Sequence, residues 1–115
     1  MANTFKTITK ANVTSADIIY TVAGSTTTVL LGILLGNTTG SAITATVSLG
    51  SDTANRAGNN DEANQTVELI TGTSIPANSS LELLTGNKVV METTDNLQVT
   101  GSGSTDVVLS IMEIT

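Results

Sequence analysis

The chain has no cysteine and no histidine. Without cysteine there is no disulfide and no thiolate nucleophile, and the redox compartment leaves no trace in the sequence. Without histidine there is no imidazole base, and with both missing the commonest zinc ligands are gone. Aromatic residues are nearly absent: Phe5 and Tyr20 are all that 115 residues contain. Aromatic side chains ordinarily carry much of a core's buried area. Here the core has to be assembled from Val, Ile, Leu, Met and Ala. Such a core is thin for its length, which favours association with further copies or with a larger body. Positive charge is scarce: Lys6, Lys10, Arg56 and Lys88 stand against ten acidic residues, for a formal net charge of -6. Four scattered cations cannot track a phosphate backbone, so nucleic acid is not an expected partner. The longest apolar run, Val29 to Leu35, is far shorter than a membrane span. The opening MANTFKTITKANVTS holds no continuous apolar segment of the secretory type. A soluble chain is expected, with no membrane partner and no address of its own.

What is present is Thr, about a fifth of the chain, together with ten Gly and a single Pro. Thr is β-branched and suits the wet face of a strand, while Gly punctuates turns. Helical periodicity is missing and period-two alternation recurs. Strands are expected over Thr4 to Lys10, Ile18 to Ala23, Thr28 to Leu35, Ile43 to Leu49, Thr66 to Thr71, Leu81 to Leu84, Lys88 to Thr93, Leu97 to Thr100 and Asp106 to Ile114. Ile18, Tyr20 and Val22 should share one face, and so should Ile43, Ala45, Val47 and Leu49, and Val107, Leu109 and Ile111. The turn Asn37-Thr38-Thr39-Gly40 reads as the loop of a hairpin between its flanking strands. Gly101-Ser102-Gly103-Ser104 reads as another hairpin turn. Pro76 reads as the first central residue of a turn. The stretch from Gly50 to Gln65 has almost nothing to bury and is expected as an exposed, mobile loop. These signals give an all-β chain, an antiparallel β-sandwich or jelly roll of about eight short strands. Residues 1–12 form an N-terminal arm or first strand, and residues 13–115 a single domain.

Val29 to Leu35 is apolar at nearly every position. It belongs either to a central strand covered on both sides or to a strand with one face in a subunit interface. Gly32 within it signals a bulge or a close backbone approach. On strict alternation, Val29, Leu31, Ile33 and Leu35 share a face, and with Phe5 they are the interface candidates.

Chemistry-bearing patterns are weak. Ten scattered carboxylates could in principle include a glycosidase pair, yet Glu68, Glu82 and Glu92 each stand beside apolar strand residues, as outward positions do. Asp52, Asp61 and Glu62 offer calcium-type oxygens without the EF-hand spacing. Gly101 to Ser104 lacks a phosphate-binding lysine and an ensuing helix. Four Asn-X-Ser/Thr acceptor sequences, at Asn12, Asn37, Asn64 and Asn78, are what chance supplies in so Asn- and Thr-rich a chain. No catalytic residue, cofactor or metal is expected, and the chain is read as a structural or binding surface. A carbohydrate- or host-binding module using the Gly50 to Gln65 loop is the alternative, with few aromatics to support it.

Four segments resemble small β-sandwich virion proteins of marine tailed phages: the start Met1-Ala2-Asn3-Thr4-Phe5-Lys6; Ser25 to Val29 running into LLGILLGNTTGSAITATVSL; Ile75-Pro76-Ala77-Asn78-Ser79-Ser80-Leu81; and the ending VLSIMEIT. The sequence departs from that pattern in the long Gly50 to Gln65 loop, and at Asn78, where the pattern has Gly. The resemblance implies a virion protein made in the host cytoplasm and working in repeated copies. In its first form this is a capsid decoration protein that stabilises the head, and in its second a tail or baseplate accessory protein. Its implied partners are copies of itself, a trimer included, and the major capsid protein or tail proteins.

Overall fold

The period-two segments become nine strands: β1 (Asn3–Val13), β2 (Ala16–Thr21), β3 (Thr27–Asn37), β4 (Ile43–Gly50), β5 (Thr66–Ile75), β6 (Ser80–Leu83), β7 (Val89–Met91), β8 (Asn96–Gly101) and β9 (Thr105–Ile114). The computed structural model describes residues 2–51, 65–84 and 86–115. Most of the expected Gly50 to Gln65 loop, with the candidate calcium ligands Asp52, Asp61 and Glu62 and the acceptor Asn64, lies outside the described residues. Among the described residues there is no helix, and so none long and apolar enough to cross a membrane.

The strands form two antiparallel sheets packed as a sandwich. The larger has the order β1-β9-β3-β6, with β7 also pairing with β3; the smaller has the order β2-β8-β4-β5. Alternation places Leu30, Ile33, Leu35, Val107, Leu109 and Ile111 on the inner side of the larger sheet, each at 2% exposure or less. Ala45, Val47, Leu97 and Val99 answer from the smaller sheet, with Met91 and Ile75 closing the ends. The expected inward rows on β4 and β9 are both found. No aromatic ring lies in the fully buried set, so the core is packed from branched aliphatics as the composition requires.

Sheet membership corrects two expected hairpins. β3 lies in the larger sheet and β4 in the smaller, so the Asn37 to Gly40 turn carries the chain across the sandwich. Asn37, 3% exposed, builds this arch. Its Nδ2 group shares two hydrogens among the carbonyls of Ser41, Ile75 and Pro76 at 2.8–3.0 Å. Its Oδ1 accepts from the backbone N–H and the hydroxyl of Thr39 at 2.9 and 2.7 Å. A buried amide so fully occupied is no glycan acceptor. The Gly101 to Ser104 turn likewise passes from β8 in one sheet to β9 in the other. Its glycines are there for close approach: a Cβ on Gly101 would stand 2.7 Å from the Val13 carbonyl oxygen, and one on Gly103 would stand 2.7 Å from Ile43 Cγ2.

Two smaller corrections follow. Pro76 opens its turn instead of occupying a central place, since its carbonyl accepts from the Ser79 N–H at 3.2 Å. Asn78 then takes φ 56°, the left-handed region that Gly or Asn adopts most readily. In β2 the register shifts between Ile18 and Tyr20, which parts the expected Ile18–Tyr20–Val22 face: Ile18 is 54% exposed while Val22 is buried.

Candidate functional site: the outer face of the larger sheet

The inner side of the larger sheet is the core, and its outer side is apolar as well. On β9 the residues between the buried ones, Val108, Ser110 and Met112, point outward. The register extends each across the sheet. Phe5 pairs with Met112, Met112 with Val29, and Val29 with Val90, giving one apolar row over four strands. Phe5 is 72% exposed and Val90 61% exposed, while Met112 and Val29 between them are half-buried. Nearer the other end of β9, Thr9, Val108, Leu34 and Glu82 form a second row with an apolar middle.

The row between these two is Thr7, Ser110 and Gly32, with small side chains. It forms a trough. Leu31 is the extra residue of a bulge on β3, because Leu30 pairs with Ile111 and Gly32 with Ser110. On one side of it lies a depression of about 360 Å³ whose lining includes Leu31, Gly32, Leu34, Leu84, Val108 and Ser110. On the other lies a shallower one of about 250 Å³ bordered by Phe5, Thr7, Leu31 and Ser110. Gly32 is present for the bulge and not for a close approach, since a Cβ there would meet nothing within 4 Å.

The bulge decides which of the interface candidates face outward. Phe5, Val29 and Leu31 line the outer surface. Ile33 and Leu35, at 2% and 0% exposure, turn into the core, because the extra residue reverses the alternation after Leu30. Sequence reasoning missed Met112, Val90 and Leu34. A signal for Met112 was present: the segment VVLSIMEI of β9 is apolar on both parities, as the β3 run is.

A polar tie fixes the same sheet from within. Tyr20, reaching across from β2 in the smaller sheet, donates its hydroxyl to Glu113 Oε2 at 2.5 Å and lies 2.7 Å from the Thr28 hydroxyl. Lys6 Nζ on β1 meets Glu113 Oε1 at 2.6 Å. Burial, then the bond to Glu113, pushes the Tyr20 phenol up to about 12. The Lys6 and Tyr20 donors hold the Glu113 carboxyl below its ordinary value. The tie joins β1, β2, β3 and β9 and anchors the strand that carries Phe5.

Glu68, Glu82 and Glu92, read from the sequence as outward strand positions, are all exposed. Among the described residues no three carboxylates cluster as a metal site would require.

No protein-family model matches the sequence, and no curated protein matches it. Among solved structures the chain is similar to a protein of Bacillus endospore appendages, described as "a novel family of disulfide-linked pili", with a TM-score of 0.51 at 17% identity over 99% of this chain and 87% of that one. It is also aligned with a chain of the T13 IBDV viral particle, at a TM-score of 0.34 and 16% identity over 96% of this chain and only 35% of that one, too low to carry an argument. The first likeness, spanning nearly the whole chain, is one of fold: the two-sheet arrangement is shared with a protein of very different sequence.

Proposed function

We propose that this chain is a non-enzymatic structural subunit that works in repeated copies on a larger particle, and that the particle is a phage virion. The observation that carries this reading is the outer face of the larger sheet. An apolar row from Phe5 to Val90 crosses four strands, and its two ends, Phe5 and Val90, are left to solvent. Apolar surface gathered in this way marks contact with another protein. The mechanism is mechanical: neighbours bury this face and gain the cohesion that the aromatic-poor core does not supply alone.

The endospore appendage protein belongs to disulfide-linked pili. This chain has no cysteine, so its assembly would be held by non-covalent burial. Within the virion reading, head decoration through contacts with the major capsid protein comes first, and a tail or baseplate accessory role second.

The test is mass spectrometry with copy counting on heads and tails separated from purified particles. Many copies on the heads are expected. A signal confined to tails would put the second version first, and absence from both would sink the virion reading.

A further inference from the structure

We infer that the outer face of the larger sheet is self-complementary, and that two copies pair face to face with Phe5 of each seated in the depression beside Leu31 of the other. The inference rests on the structural-subunit reading and names the partner as a second copy of this chain.

Four observations carry it. Phe5 is the only phenylalanine, stands 72% exposed, and projects from the β1 side of the face. The depression of about 360 Å³, lined by Leu34, Leu84 and Val108 together with Glu82, opens on the same face on the far side of β9. A knob and a hole on opposite sides of one strand are exchanged by a two-fold axis passing over that strand, the condition for an isologous contact. The area also suffices. Three strands of ten or eleven residues, with the shorter β6 and β7 along the β3 edge, lie about 4.8 Å apart and make a face of roughly 600 Å², so a pair buries about 1,200 Å², the lower bound of stable interfaces. Finally, the trough is kept open by Gly32, where an added Cβ would meet nothing within 4 Å beyond its chain neighbours. The monomer would tolerate a filled trough, and a partner seated in it would not.

Sedimentation equilibrium of the full chain tests this against two variants. Phe5→Asp places a charge on the knob, and Gly32→Ile fills the hole with a residue that suits a strand. The wild-type chain is expected to be a dimer at micromolar concentration. Each variant should raise the dissociation constant by at least about a hundredfold, with the circular dichroism and melting of the fold retained. A wild-type chain monomeric at its highest soluble concentration, or an assembly unchanged by both variants, would overturn the inference. Copies counted on particles alongside a monomeric wild-type chain would remove this pairing and leave the structural reading standing. A dimer found in a chain absent from particles would do the reverse.

Discussion

The two sheets of the sandwich share one core and present opposite exteriors. Outside the smaller sheet the register sets Ile18, Gln98, Ser48 and Glu68 in one row, and Ala16, Thr100 and Thr46 in the next. Apart from Ile18 and Ala16, both on the edge strand β2, this is Thr, Ser, Gln and Glu, the solvated face the composition leads one to expect. Outside the larger sheet, Phe5, Met112, Val29 and Val90 take the corresponding places. Folding requires only the inner sides to be apolar. The difference between the outer sides is therefore not a demand of the fold, and it separates residues chosen for packing from residues available for contact.

The largest test of that separation uses two neighbours on β9. Leu109 is fully buried and Val108 is on the outer face. Leu109→Ala should cost about 2–5 kcal/mol in denaturant unfolding, enough to threaten a domain this small. Val108→Thr should change the stability of the monomer by less than about 1 kcal/mol and act on association instead. Equal effects on stability would erase the distinction between the two sides. Next, Asn37→Ala should cost about 3 kcal/mol, by stranding buried carbonyls at the arch that assigns β3 and β4 to different sheets. A loss of under 1 kcal/mol would mean that the arch forms without the amide.

The polar tie gives a smaller effect with a pH signature. The Tyr20 phenol holds its proton more tightly folded than unfolded, so its contribution is full below about 10 and is lost as the pH rises toward about 12. Glu113 has the opposite sense. Its carboxyl is lowered in the folded state, so its contribution is present above the ordinary carboxylate value and is lost as the pH falls through the lowered one. Tyr20→Phe should cost about 1–2 kcal/mol at neutral pH and flatten the alkaline limb of the stability profile. Tyr20 is the only tyrosine, so the phenolate absorbance of the wild-type chain reports its titration directly; a midpoint near 10 in the folded protein would refute the tie. The smallest effect belongs to the other exterior. Ser48→Val and Gln98→Val should each stay within about 0.5 kcal/mol and leave the sedimentation of the chain unchanged. If either alters the assembly state, the smaller sheet is also a contact face and the contrast fails.

The strands were legible in the sequence because alternation is a local signal: β4 and β9 show their inward rows residue by residue. Pairing was not legible. The sequence Asn37-Thr38-Thr39-Gly40 announces a reversal but not the sheet on which the chain lands, and that is decided by carbonyls at Ile75 and Pro76, far along the chain. Within β3 a single bulge at Leu31 was enough to send Ile33 and Leu35 inward and to bring Leu34 out. No run of seven apolar residues shows where its phase will slip. Phe5 was legible as a candidate, whereas the row it belongs to exists only through the partners that β9 and β3 bring beside it.

The placement of β9 sets a timetable for the nascent chain. Among the described residues β1 pairs only with β9, which is inserted between β1 and β3, so the larger sheet stays open until β9 arrives. About a hundred residues separate the starts of the two strands, which is about 5–20 s of synthesis. Throughout that interval β1 and one edge of β3 offer unpaired backbone on a sheet already apolar on both sides. A β9 from a neighbouring ribosome fits that slot as well as the chain's own. The yield of correctly closed subunits is therefore expected to depend on local concentration and translation speed as well as on stability.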